Sequence, residues 1–183
     1  MNGANALPTA SWRILVLCTR NSARSQIAEA LFTRIGAERI VAASAGSDPG
    51  PGVHPLAVEA LAEIGIDWRG HRSQGIDAVV DEPWDAVITV CDAARDACPY
   101  MPTAAATAHW GMEDPAAVSG DHDTQLAAFR LTRDRMSEAV HAFMAVAPHV
   151  REGASDRALR DALDAGRNTL ERASSAISTK SDT

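Results

Sequence analysis

Arg13-Ile14-Leu15-Val16-Leu17-Cys18-Thr19-Arg20-Asn21-Ser22-Ala23-Arg24-Ser25 is the stretch on which the fold turns. Residues 13–17 carry a short continuous apolar run, the pattern of a strand with both faces covered. Residues 18–23 break it. From Ser25 to Arg34 a helical period takes over, with Ile27, Ala30, Leu31 and Ile35 on one face, and Gly36 stops the helix. The unit is strand, loop, helix, with the loop at the helix N-terminus. Working outward, Ile40–Ala45 reads as a second strand and Gly46–Val53 as a Gly- and Pro-rich loop. Leu56, Ala60, Leu61 and Ile64 mark a second amphipathic helix closed by Gly65. Residues 66–83 are irregular, with room for one short helical turn. Ala86–Val90 is a third strand running straight into Cys91, and Ala105–Trp110 is a weaker fourth. A long helix spans about Asp123 to Val146 and ends before Pro148. This alternation predicts an α/β domain: a four-stranded, mainly parallel open sheet flanked by helices on both faces.

The expected organisation is a disordered lead-in over residues 1–11, a domain over 12–148 and a C-terminal extension over 149–183, helical or partly disordered. In the extension Leu159, Leu163, Leu170 and Ile177 form one narrow helical stripe, interrupted in strength by Gly166 and Asn168. The stripe suits a helix lying on the domain or a self-association helix.

Of the 183 residues, 46% are hydrophobic but only 4% aromatic, so the core is built from Ala, Val, Leu and Ile. Apolar runs reach about five residues, far below the roughly 20 that span a bilayer, and nothing reads as a signal peptide. A net charge of −7 without a basic cluster argues against nucleic-acid and anionic-membrane binding. The three cysteines, Cys18, Cys91 and Cys98, are an odd count, unlike a secreted disulfide framework. A cytoplasmic chain with such thiols holds them buried, catalytic or bound to metal. No closely spaced Cys/His pair resembles a zinc motif, so no metal site is expected.

Cys18 sits where a strand meets a helix, in the pattern C-x5-R-S. Successive backbone N–H groups of such a loop (Thr19, Arg20, Asn21, Ser22, Ala23 and Arg24) curl into an anion-binding nest, and the helix dipole aims its positive end at the same point. Arg24 adds a planar clamp for a tetrahedral oxyanion. The same field stabilises a thiolate, so Cys18 is the expected nucleophile. The Ser25 hydroxyl is placed to hydrogen-bond it, and Asn21 tolerates a left-handed backbone. Asp114, held by Pro115 after the fourth strand, is the candidate acid that protonates a leaving oxygen.

These residues resemble the low-molecular-weight phosphotyrosine phosphatase superfamily, and within it the thioredoxin-coupled arsenate reductases. The matching stretches are Cys18–Ala30, Ser44-Ala45-Gly46, Val87–Pro99, His109–Pro115 and Phe129–Arg135, so the likeness runs from about Trp12 to Ala147. The C-x6-C pair Cys91/Cys98 is its most specific feature. The resemblance implies a relay. Cys18 attacks arsenate, Cys91 attacks the Cys18 sulfur and arsenite leaves. Cys98 then attacks Cys91, and thioredoxin, ultimately fed by NADPH, reduces the Cys91–Cys98 disulfide. Glutaredoxin or a small thiol is the alternative reductant. No bound cofactor is implied, and a monomer is expected. Because residues seven apart in a helix are about 10.5 Å apart along its axis, and a disulfide needs Cα atoms within about 7 Å, any helix between Cys91 and Cys98 must unwind on oxidation.

Some departures qualify the likeness. Arg20 stands where a Gly is common, adding charge but threatening strain in the turn. Some relatives bind potassium through an Asn, a Glu, a Ser and an Asp; Asn21, Glu29 and Ser44 match, but Gln74 replaces the acid. The six histidines are scattered and are expected to be structural or solvent-facing. Two competing functions remain. One is a tyrosine phosphatase using Cys18, Arg24 and Asp114, weakened by Ala116, Ala117 and Val118 in place of aromatic residues. The other is a non-enzymatic arsenite or thiol-redox binding module, which leaves the anion loop without a purpose.

Overall fold

The computed structural model describes residues 11–97, 104–148 and 154–178. The Arg13–Leu17 run lies within strand β1 (Trp12–Cys18), followed by helix α1 (Arg24–Gly36) and strand β2 (Ile40–Gly46). Helix α2 (Pro55–Ala62) and a 3-10 turn at Ile76–Ala78 precede β3 (Ala86–Thr89). Short helix α3 (Asp92–Ala97), strand β4 (Ala106–His109), a 3-10 turn at Pro115–Ala117, and helices α4 (His122–Val146) and α5 (Asp156–Ser178) complete the order. The strands form one sheet in the order β2-β1-β3-β4. All pairs are parallel, so the sheet is wholly rather than mainly parallel.

Because β2 and β3 lie on opposite sides of β1, the connections from β1 diverge at its C-terminal end. In open parallel sheets this is where ligands bind. The register sets Cys18 beside Gly46 and Thr89 beside His109, so the chemistry-bearing residues collect at one end of the sheet.

The two faces are closed differently. Ile14, Val16 and Ile88 pack with Ile27, Leu31 and Phe32 of α1, Leu61 of α2, Phe129, Val140 and Phe143 of α4, and Leu159 and Leu163 of α5. The other face, Leu15, Leu17 and Val87, is covered by Val79 and Trp84. The expected helix-flanked parallel sheet is present, and the cover of this second face includes the 3-10 helix at Ile76–Ala78. The return from β2 to β3 crosses the second face, and residues 69–83 lack a helical apolar period, so a 3-10 turn and a tryptophan do the covering. Trp84 donates its Nε1–H to the Val79 carbonyl at 2.8 Å, satisfying its one polar atom while the ring is buried.

The few aromatic residues are concentrated. Phe32 stacks on Trp110 with centroids 5.7 Å apart, and Phe143 meets Phe32 edge-on at 5.5 Å. This cluster pins α1 and α4 to the end of β4. It also receives α5. The Trp110 Nε1–H donates to the Leu163 carbonyl at 3.0 Å, and a Cβ at Gly166 would lie 2.2 Å from the Trp110 ring. Gly166, read from sequence as a weak point of the stripe, is the notch into which Trp110 fits. Leu159, Leu163 and Leu170 are buried against the domain, whereas Ile177's side chain lies outside the described residues.

Ile64, expected on the buried face of the second helix, is exposed, because α2 ends at Ala62 and Ile64 falls in the following turn. Ser11 is buried and donates to the Glu38 carbonyl at 2.6 Å; the rest of the expected lead-in lies outside the described residues. No described helix is long and apolar enough to cross a membrane.

Candidate active site

Cys18 closes β1 and Arg24 opens α1, so the intervening loop must turn within five residues. Asn21 makes this turn with φ of 48°, a left-handed conformation that Asn tolerates better than most side chains. The strain feared at Arg20 is absent, since its φ is not positive. The α1 N-terminus has no side-chain cap, leaving its orphan N–H groups facing the loop.

The Cys18 sulfur is buried and held from two sides. The Asn21 N–H donates to it at 3.0 Å, and Ser25 Oγ lies 2.9 Å away. Asn21 Nδ2 donates to Ser25 Oγ at 3.0 Å, so the Ser25 oxygen is already accepting and its proton is free to point at the sulfur. Two hydrogen-bonding groups thus converge on the sulfur. Asn21 is itself fixed. Its Nδ2 also donates to Ser44 Oγ at 2.7 Å, its Oδ1 accepts from the Gln74 N–H at 2.8 Å and from Gln26 Nε2 at 3.1 Å, and its carbonyl accepts from Ser73 Oγ at 2.7 Å.

The loop carbonyls point outward and are also bonded. Those of Cys18, Thr19, Arg20 and Ser22 accept from the N–H groups of Ser47, Asp48, Gly50 and His54. Gly46 allows this approach, because a Cβ there would sit 2.5 Å from the Thr19 carbonyl. With carbonyls turned away, the loop presents N–H groups to its concave side.

Arg24 bridges to the acid loop. Its Nη1 donates to the Met112 carbonyl at 2.9 Å, and its Nη2 is 3.3 Å from an Asp114 oxygen. Asp114 is the more solvated partner, and its other oxygen accepts from the Ala116 N–H at 3.1 Å, capping the 3-10 turn. Arg20 behaves differently from Arg24: its guanidinium turns out to an exposed pair with Asp48 at 2.8 Å. Among the sequence-expected binding residues it contributes backbone, and its charge is engaged elsewhere.

Cys91 is the second buried thiol of the site, with its sulfur 3.4 Å from Thr19 Oγ1 and 3.4 Å from the Ala94 N–H that donates to it. It thus lies against the residue that follows Cys18. The structure brings together Cys18, Thr19, Asn21, Arg24, Ser25, Cys91 and Asp114; Cys98 lies outside the described residues.

Sequence reasoning missed Gln26. It is buried, donates to Asn21 and to the Arg72 carbonyl at 3.1 Å, and accepts from Trp68 Nε1 at 2.8 Å. Its signal was a glutamine beside Ile27 on the face that enters the core. His54 has a structural role. Its Nδ1 accepts the Leu56 N–H at 3.2 Å as the α2 cap, and its ring stacks on Phe129. Burial pushes its pKa down, opposed by the Asp114 carboxylate.

The matched potassium ligands meet but do not suit a cation. Gln74 Nε2 donates to the Ser44 carbonyl at 2.8 Å, presenting an N–H where a carboxylate is needed. The only carboxyl of the set, Glu29, accepts from Ser44 Oγ at 2.6 Å, and burial raises its pKa.

The family model for low molecular weight phosphotyrosine protein phosphatase matches residues 13–155. The chain belongs to this family. Within it, the chain is 38% identical over 130 residues to the arsenate reductase of Halalkalibacterium halodurans, covering 71% of this chain and 93% of that one. A solved arsenate reductase in the phosphate-binding state superposes with a TM-score of 0.63 at 32% identity, covering 73% of this chain and 97% of that one. A thioredoxin-dependent arsenate reductase of Corynebacterium glutamicum gives a TM-score of 0.54 at 25% identity, covering 73% of this chain and 64% of that one. The family match ends one residue before α5, so α5 is an addition to the phosphatase-family domain.

Proposed function

We propose that this phosphatase-family chain reduces arsenate to arsenite. The observation that carries the reading is the second buried thiol, Cys91, set against Thr19 at the edge of the Cys18 anion loop. A phosphatase needs one thiolate. Arsenate and phosphate are similar tetrahedral anions, and they differ in that thiols reduce As(V) readily.

The Cys18 thiolate attacks arsenic while the loop N–H groups and Arg24 hold the oxygens, and Asp114 protonates the oxygen that leaves as water. The Cys91 thiolate then attacks the Cys18 sulfur. An S–S bond forms, the S–As bond breaks, and its electron pair stays on arsenic, which departs as arsenite. Cys98 attacks the Cys91 sulfur and releases the Cys18 thiolate. A dithiol protein of the thioredoxin type reduces the Cys91–Cys98 disulfide by two electrons and two protons, drawn ultimately from NADPH. The chain holds no prosthetic group in this scheme. A reducing cytoplasm suits it, and the burial of the α5 stripe on its own domain supports a monomer.

The test is a coupled assay with arsenate, thioredoxin, thioredoxin reductase and NADPH, beside an aryl phosphate assay. Arsenate-dependent NADPH consumption is expected. Cys18→Ser removes it, by at least about 10³-fold. Cys98→Ser releases one arsenite per chain and then stops. Brisk aryl phosphate hydrolysis with no arsenate-dependent NADPH consumption would overturn the reading in favour of a phosphatase.

A further inference from the structure

His109 ends β4 and reaches across to the segment that follows Cys91. Its Nδ1 is 2.8 Å from Thr89 Oγ1, and its Nε2 is 3.2 Å from an Asp92 carboxylate oxygen. A neutral ring with its proton on Nε2 satisfies both: it donates to Asp92 and accepts the Thr89 hydroxyl proton. Thr89 is buried at the end of β3 and directly opposite His109 in the sheet register, so the ring's inner end is anchored to the sheet. The ring also has a place made for it. A Cβ at Gly111 would lie 2.7 Å from His109 Nε2, so any larger residue there would displace the ring.

Asp92 is the first residue of α3, whose six residues run to Ala97. Ala94 adds to this hold: its N–H donates to the Cys91 sulfur, and its side chain is buried. Residues seven apart in an intact helix lie about 10.5 Å apart along its axis, beyond disulfide reach. The helical turn and the Cys91–Cys98 disulfide therefore exclude one another.

We propose that His109 is a positioning residue that latches α3 in the dithiol state through Asp92. The inference rests on the relay proposed above. The latch is made only while the first turn of α3 is formed. It therefore stabilises the dithiol form relative to the disulfide, biasing the segment towards re-reduction and returning Cys91 to its place against Thr19. Its removal makes the disulfide harder to reduce.

The measurement is the thiol–disulfide equilibrium of the full chain carrying Cys18→Ser, so that Cys91 and Cys98 are the only thiols present. The oxidant is glutathione disulfide. Two protein thiols lose two electrons and two protons, one S–S bond forms, and glutathione disulfide becomes two glutathione molecules. His109→Ala is expected to shift this equilibrium towards the protein disulfide by about fivefold, the scale of one partly solvated hydrogen bond to a charged group. Asp92→Ala gives a shift in the same direction, and in the Asp92→Ala background His109→Ala adds no further shift, because the pair interaction is already gone. Amide exchange over 92–97 in the reduced form rises in each.

An unchanged equilibrium in His109→Ala and Asp92→Ala, with the disulfide forming normally, overturns the latch and leaves the relay standing. Additive shifts in the double variant also overturn it. Failure of the parent to form a Cys91–Cys98 disulfide overturns the relay and the latch with it. If His109→Ala does not fold, Asp92→Ala alone decides by the same equilibrium.

Discussion

The two thiol regions of the molecule are built to opposite specifications. Around Cys18, Asn21 alone engages Ser25, Ser44, Gln26, Ser73 and Gln74, and four loop carbonyls are tied to the 47–54 segment. Around Cys91, the six-residue α3 carries an Ala94 N–H that donates to the Cys91 sulfur, the buried Ala94 side chain and the exposed Asp92–His109 pair. The contrast fits what the proposed relay asks of each region. An anion nest works through N–H groups already aimed, because reorganising dipoles during the reaction raises the barrier. A resolving arm has to travel, and a segment that moves must be drawn from the weakly held part of a structure.

Asn21→Ala is the largest test of the contrast. It puts a residue with no polar side chain at φ of 48° and strands Ser25, Ser44 and the Gln74 N–H. A stability loss of about 2–4 kcal/mol is expected from backbone strain and unpaired buried groups together. Arsenate turnover should drop by about 100-fold. Denaturant unfolding and the coupled assay measure both; a loss of turnover without a loss of stability would show that the network serves chemistry alone.

Ala94→Gly probes the other region. It weakens the α3 turn by about 1 kcal/mol. Because α3 is so lightly tied, global stability should change little, and inorganic phosphate should inhibit with unchanged affinity. Amide exchange across 92–97 should rise severalfold. Altered phosphate affinity would mean that the two regions are coupled, contrary to the contrast drawn.

The smallest effect concerns Glu29, at the rim of the Asn21 network. Burial raises its pKa in the folded chain above the ordinary 4.5. The folded state then binds more protons than the unfolded state just above that pH. Stability from this group is therefore full below pH 4.5 and is lost as pH rises through the folded value. Glu29→Gln should remove that decline, so the difference between variant and parent in unfolding free energy grows in the variant's favour above pH 4.5. A constant difference from acid to neutral pH would show that the carboxyl is ionised without cost.

Much of the site was legible before any coordinates. The C-x5-R-S spacing places Cys18, Arg24 and Ser25 by local geometry alone, since a strand end and a helix start lie within one turn of each other. Cys91 was found because a strand delivers it, and Asp114 because Pro115 restricts its backbone. Arg20 was legible as loop backbone, but its outward pairing was not, because Asp48 is 28 residues away. Gln26 and Gln74 were missed as hubs of the nest for a similar reason: their partners come from Asn21 of the Cys18 loop, from β2 and from the 66–75 segment. The detail of the second sheet face was not legible, because Trp84 and a 3-10 turn cover it without a helical apolar period.

The sequence by itself determined the strand–loop–helix at Cys18, the parallel sheet and the thiols available for chemistry. These are written in short-range patterns of apolar period, breaker and spacing. The tertiary structure decided that Cys91 lies against the nest, which arginine faces it and where the C-terminal stripe is buried. It also turned Gly166 from a weak helix position into the seat of Trp110. Those outcomes depend on register between strands and on packing across more than fifty residues of chain, as in the Trp110–Leu163 hydrogen bond with its separation of 53. Local propensity carries no information about such partners; close packing at the sheet's C-terminal end selects them.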